Sequence, residues 1–124
     1  MKILSFTERW RKLEDDELTT IRPDSTYWNE GDHVQVWFRN RSPKRYKLGE
    51  ADILSIEKVA IEFRNYEMET AELRLLTDEE AAADGFPGGR EELNKWMVKT
   101  YRCNYEPVMQ ILTIRWTMKC EGVF

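Results

Sequence analysis

Histidine and cysteine are nearly missing from this chain. Its 124 residues hold one His and two Cys, Cys103 and Cys120, with no C-x-x-C pair. A zinc site needs four clustered ligands at short spacings, so none is expected. Two sparse thiols make no disulfide framework and read as small hydrophobes in a reducing compartment. No apolar run approaches the ~18 residues of a membrane-spanning helix. The opening MKILSF lacks the cleavage pattern of a signal peptide. Repeats, low-complexity tracts and linkers are missing too. The reading is one domain over residues 1–124, soluble and cytosolic, with no membrane partner, no metal and no cofactor.

Aromatics are plentiful instead: five Trp, five Tyr and five Phe. Each buries a large area, which makes a core feasible at this length, and each is a stacking surface for a base. Apolar residues are 41% and charged residues 34%, the balance of a globular chain rather than a disordered one. The net charge of −4 is unevenly spread. Residues 39–47 carry Arg39, Arg41, Lys44, Arg45 and Lys47 and no acid, whereas residues 62–92 carry ten acids. The basic run reads either as a solvated hairpin tip or as a phosphate-contacting loop.

Phe6, Trp10 and Leu13 fall at i, i+4 and i+7, which predicts a helix over about residues 6–16, with Lys12 on its solvated side. Thr19–Arg22 reads as a strand placing Thr20 and Arg22 on one face, ended by Pro23-Asp24-Ser25. A turn at Glu30-Gly31-Asp32 leads to the alternation Val34, Val36, Phe38, with His33 on the polar side. Residues 51–63 read as a long strand. Its apolar phase slips between Leu54/Ile56 and Val59/Ile61/Phe63, which calls for a bulge near Glu57-Lys58. Leu73 and Leu75 suggest another strand. Thr77 and Glu80 have capping-box spacing and open a short helix ended by Gly85. Leu93, Trp96, Met97 and Tyr101 mark a second full helix over 90–101. Val108 to Met118 alternates as a closing strand, with Gln110 the polar intruder.

The order of these pieces resembles the ASCH domain family of the PUA-like superfamily. The resemblance rests on T-T-I-R (Thr19–Arg22), the G-D-x-V of Gly31–Val34, Asp84-Gly85-Phe86, E-E-L-x-x-W-x-x-x-x-Y (Glu91–Tyr101) and the final I-x-T-I-x-W strand. It covers nearly the whole chain. It implies an α+β fold: a curled β-barrel of five to six strands with two to three flanking helices and a cleft between them. Family members are thought to bind RNA or modified nucleosides, and one branch removes an acyl group from N4-acylated cytidine. That branch uses a lysine, then a threonine three residues on and an arginine two further. Here Thr20 and Arg22 match, and the lysine position falls on Glu17. The branch's carboxylate matches Asp84.

Two functions follow from the resemblance. The first is an RNA- or nucleotide-binding domain with its cleft centred on Arg22. Tyr27 or Trp28 would stack on a base, and Arg39, Arg41, Lys44 and Arg45 would attract the phosphate backbone. The second is a small amidohydrolase. Thr20 would be nucleophile or water-orienting group, and Glu17 or Asp84 the proton carrier. A carboxylate at Glu17 carries the wrong charge to support an anionic intermediate, so this would not be the family's own arrangement.

Overall fold

The computed structural model describes residues 1–8, 10–60, 73–101 and 108–124. Its elements are β1 (Lys2–Phe6), a 3-10 turn (Arg11–Glu14), β2 (Glu17–Pro23), β3 (His33–Phe38), β4 (Tyr46–Ala60), α1 (Asp78–Ala83), α2 (Arg90–Tyr101) and β5 (Val108–Lys119). The strands form one mixed, curled sheet in the order β1-β3-β4-β5-β2, a half-barrel with two helices of the α+β class. β1 runs parallel to β3 and every other neighbouring pair is antiparallel. Five strands and two helices are within the expected numbers.

The N-terminus differs from the sequence reading. The predicted helix over 6–16 is replaced by a strand and a single 3-10 turn. Three apolar positions fit a helical stripe, but Leu4 and Phe6 also alternate. As a strand beside β3 they bury both side chains, at 0% and 3% exposure. Trp10 and Leu13 still turn inward, so the apolar pattern is satisfied by another backbone path.

The bulge is also elsewhere. The register of β4 against β5 shifts at Glu50/Ala51 and at Ile53/Ser55, not at Glu57-Lys58. Leu54 is the residue skipped, and it is exposed. The shift exchanges the two faces of β4. Before it Ile53 lies opposite Ile114, and after it Ile56 lies opposite Leu112, all on the concave side. Val59 lies opposite Met109 on the convex side, beneath the helices. The slip therefore serves two cores rather than one. Leu4, Leu18, Val34, Ile53 and Leu112 pack inside the curl, and Ile21, Val59, Leu93, Met97 and Met109 pack under α1 and α2. Each such burial is worth roughly 1.5–3 kcal/mol.

Thr77 and Glu80 form both halves of the capping box at the start of α1. Arg74 ties the same helix to β4: its guanidinium bonds Glu57 at 2.7 Å and Glu80 at 2.6 Å, which holds the Glu80 carboxyl down at about 2. The strand expected at Leu73 and Leu75 reduces to one bridge between Ala60 and Leu75. The parts of the β4 reading at Ile61 and Phe63, the acids between 62 and 72, and Cys103 lie outside the described residues. Cys120 is a half-buried free thiol. No helix among the described residues is long and apolar enough to cross a membrane.

Candidate functional site

β2 is an edge strand, and alternation along it sends Thr20 and Arg22 to the concave side, opposite Leu112 and Gln110. Thr20 is 3% exposed. Arg22 Nε donates to Thr20 Oγ1 at 3.2 Å, and the guanidinium carbon lies 4.9 Å from the centre of the Phe6 ring. The fork is thus held by a hydroxyl and a ring face, both of which suit arginine better than lysine.

The cation that completes the site is Lys12, which a helix over 6–16 would leave in solvent. The 3-10 turn carries it back over β2, and its side chain is 9% exposed. Its Nζ donates to the Thr19 carbonyl at 2.9 Å and to Asp84 Oδ1. Asp84 Oδ1 also accepts from Ile21 N at 3.3 Å. Burial pushes the Lys12 ammonium down from its usual range; Asp84 opposes that shift and Arg22 adds to it. Burial likewise pushes the Asp84 carboxyl up, against the pull of Lys12 and Arg22. The two proton affinities converge, which suits an acid–base pair. Two cations face one carboxylate, so the pocket favours developing negative charge.

Asp84 is aimed by the end of α1. Phe86 N bonds Ala81 O at 3.0 Å and Gly85 N bonds Ala82 O at 3.0 Å, the two reversed bonds of a Schellman ending. Gly85 has φ +111°, and a Cβ there would meet the Trp10 ring at 2.6 Å. Only glycine allows this turn and this contact together. Phe86 then enters the core beside Trp10, with ring centres 5.5 Å apart.

A deep cavity of about 60 Å³ lies among Lys12, Thr20, Arg22, Asp84 and the aromatic rings. It adjoins an open groove of about 590 Å³ that shares Ser5, Thr7 and Arg22 with it and continues past Trp28, Arg39 and Arg41. Arg39 adopts a left-handed backbone, φ 48°, and its Nε bonds the Thr7 carbonyl at 3.3 Å along this groove.

The structure brings together Thr20, Arg22 and Asp84, and separately aligns Arg22, Trp28, Arg39 and Arg41. Glu17 is on neither set. Three residues from Thr20 on an extended strand, it faces the other side, 48% exposed, and bonds Arg115 at 3.1 Å. It is replaced at the site by Lys12. Tyr27 is 49% exposed and stands edge-on to Trp28 at 4.7 Å, outside the groove lining. Lys44 and Arg45 are exposed on the same loop and do not line the groove either. His33 is exposed, as expected of its strand face, and bridges Asp52 and Glu50. Among the described residues no cluster of three His, Cys, Asp or Glu is placed to hold a metal ion. Comparison with protein-family models, with curated proteins and with solved structures finds no match.

Proposed function

We propose that this chain is an ASCH-like, PUA-like amidohydrolase that cleaves the acyl group from an N4-acylated cytidine, with Lys12 in the role its sequence motif leaves to Glu17. One observation carries the reading: a lysine and an aspartate paired out of water beside a strand threonine and arginine. A buried ion pair contributes little net stability, and strongly perturbed acid–base groups gather where chemistry is done.

Lys12 passes a proton to Asp84, and the Thr20 hydroxyl then attacks the acyl carbon while the neutral amine so formed takes its proton. Arg22 stabilises the tetrahedral oxyanion, and Lys12 returns the proton to the departing N4 nitrogen, leaving an acyl ester on Thr20. Water then attacks the ester by the same route. Its proton passes through Lys12 to the Thr20 oxygen, and a carboxylic acid is released. Asp84 holds Lys12 in place and sets its proton affinity. Incubation with N4-acetylcytidine and chromatography for free cytidine tests this. Wild type releases cytidine, and Thr20→Val and Lys12→Met each lose at least ~100-fold in rate. No release by wild type contradicts the reading.

The arginine-lined groove favours a second reading, in which the domain binds a nucleotide or single-stranded RNA without chemistry. Arg22→Ala and a joint Arg39→Ala/Arg41→Ala change then weaken RNA binding, and the joint change flattens its salt dependence. Failure to bind RNA even at ~50 mM salt contradicts it.

A further inference from the structure

The geometry points to an acyl-size filter: the small cavity takes the acyl part of the substrate and limits it to a short-chain group, butyryl or smaller, with Trp96 as the residue that sets the limit. This rests on the hydrolytic reading above.

The two adjoining spaces differ about tenfold in volume, 60 against 590 Å³. A cavity holds about one water-sized group per ~10–15 Å³, so the smaller one has room for roughly four to six non-hydrogen atoms. A pyrimidine with its ribose cannot enter it. A short acyl group can, and a benzoyl group, with its six-membered ring, cannot. The reactive side chains Lys12, Thr20 and Asp84 all line the small cavity, while Arg22 lines both. The scissile bond therefore sits at the junction, with the nucleoside in the groove and the acyl group inward.

The cavity wall is a row of rings. Trp10, Phe86 and Trp96 follow one another with centres 5.5 Å apart at each step, tilted by 52° and 58°. The first two are fixed. Phe86 is 4% exposed, and Trp10 is pressed against Gly85. Trp96, on α2, is partly buried, as Trp10 is, but it is Trp10 that is pressed on the Gly85 turn. Trp96 packs on the rim of the core under the helices, so its removal opens the cavity while the fully buried residues stay in place.

The experiment compares N4-acetyl-, N4-butyryl- and N4-benzoylcytidine on the whole chain. kcat/KM for acetyl is expected to exceed that for benzoyl by at least ~100-fold, the scale of a steric misfit in a small pocket. Trp96→Ala is expected to narrow that ratio at least ~10-fold by raising the benzoyl rate, with Trp96→Phe between the two. Trp96→Phe carries the test alone if the alanine variant fails to fold. Equal wild-type rates for all three acyl groups overturn the filter and leave the hydrolytic reading standing. So does a Trp96 variant that lowers every rate alike. In parallel, Kd is measured by titration with Thr20→Val, which does not turn over. If wild type cleaves none of the three, the hydrolytic reading falls and these affinities decide the filter: tighter acetyl binding supports it, and equal affinities or no binding overturn it.

Discussion

Replacing Lys12 by methionine keeps most of its stem and removes the ammonium. The Asp84 side chain is 6% exposed, so solvent screens the loss very little. The remaining carboxylate keeps the Ile21 N–H at 3.3 Å and the more distant pull of Arg22. Breaking one side of such a pair costs about 3–5 kcal/mol, and these two residual partners place Lys12→Met near ~3 kcal/mol at pH 7. An exposed pair such as Lys95–Glu91, with both side chains more than three-quarters exposed, would lose under ~1 kcal/mol. The loss depends on pH with a definite sign. Without its partner the Asp84 carboxyl titrates still further above 3.8 in the folded chain. The folded state then takes up a proton before the unfolded one does, so the deficit shrinks as pH falls toward ~4. The double variant Lys12→Met/Asp84→Asn removes both charges and recovers to within ~1 kcal/mol of wild type. Urea unfolding at about pH 7 and about pH 4.5 reads all three, with m unchanged. A deficit under ~1 kcal/mol at neutral pH, or one that acidification does not reduce, would refute a buried pair.

Gly85→Ala meets both a φ of +111° and a Trp10 ring 2.6 Å from the new Cβ, so a loss of about 2–4 kcal/mol in urea unfolding is expected. A loss under ~1 kcal/mol would show that this turn is not as described. Glu17→Lys breaks only an exposed bridge to Arg115 and changes stability by less than ~1 kcal/mol and hydrolysis by less than ~2-fold. A large gain or loss of rate would return Glu17 to the site. Hydrogen bonds donated by the imidazolium to Asp52, then to Glu50, hold the His33 pKa above its usual 6.5. That contribution is complete below 6.5 and fades as pH rises through the raised value. At 39% side-chain exposure it is small, so His33→Gln should lower Tm slightly at about pH 5.5 and not at about pH 8.5. An equal deficit at both pH values would mean that His33 does not act through its charge.

Single strand faces are legible where alternation is unbroken, but the division into two cores is not. Thr20 and Arg22 share a face because a strand has a period of two, and Thr77 and Glu80 announced a helix start by spacing alone. The N-terminus was not legible, because Phe6, Trp10 and Leu13 satisfy two backbone paths. The choice between them is made by β3, a partner some thirty residues away. The same ambiguity hides Lys12. On a helix it opposes the apolar stripe, whereas the 3-10 turn after a strand folds it over Thr19. A sequence signal does exist: Lys12 lies between Trp10 and Leu13, which both turn inward. The bulge at Leu54 was misplaced because two apolar sets were assigned to one core, when the sheet has a core on each side.

Lys12 is a desolvated amine held between Asp84 and Arg22, and its ¹⁵N or ¹³Cε resonance followed against pH is the decisive measurement. A midpoint below the usual 10.5, falling further in Asp84→Asn and rising in Arg22→Gln, is the predicted result. A midpoint at 10.5 that neither variant moves is incompatible with a lysine buried beside these two groups.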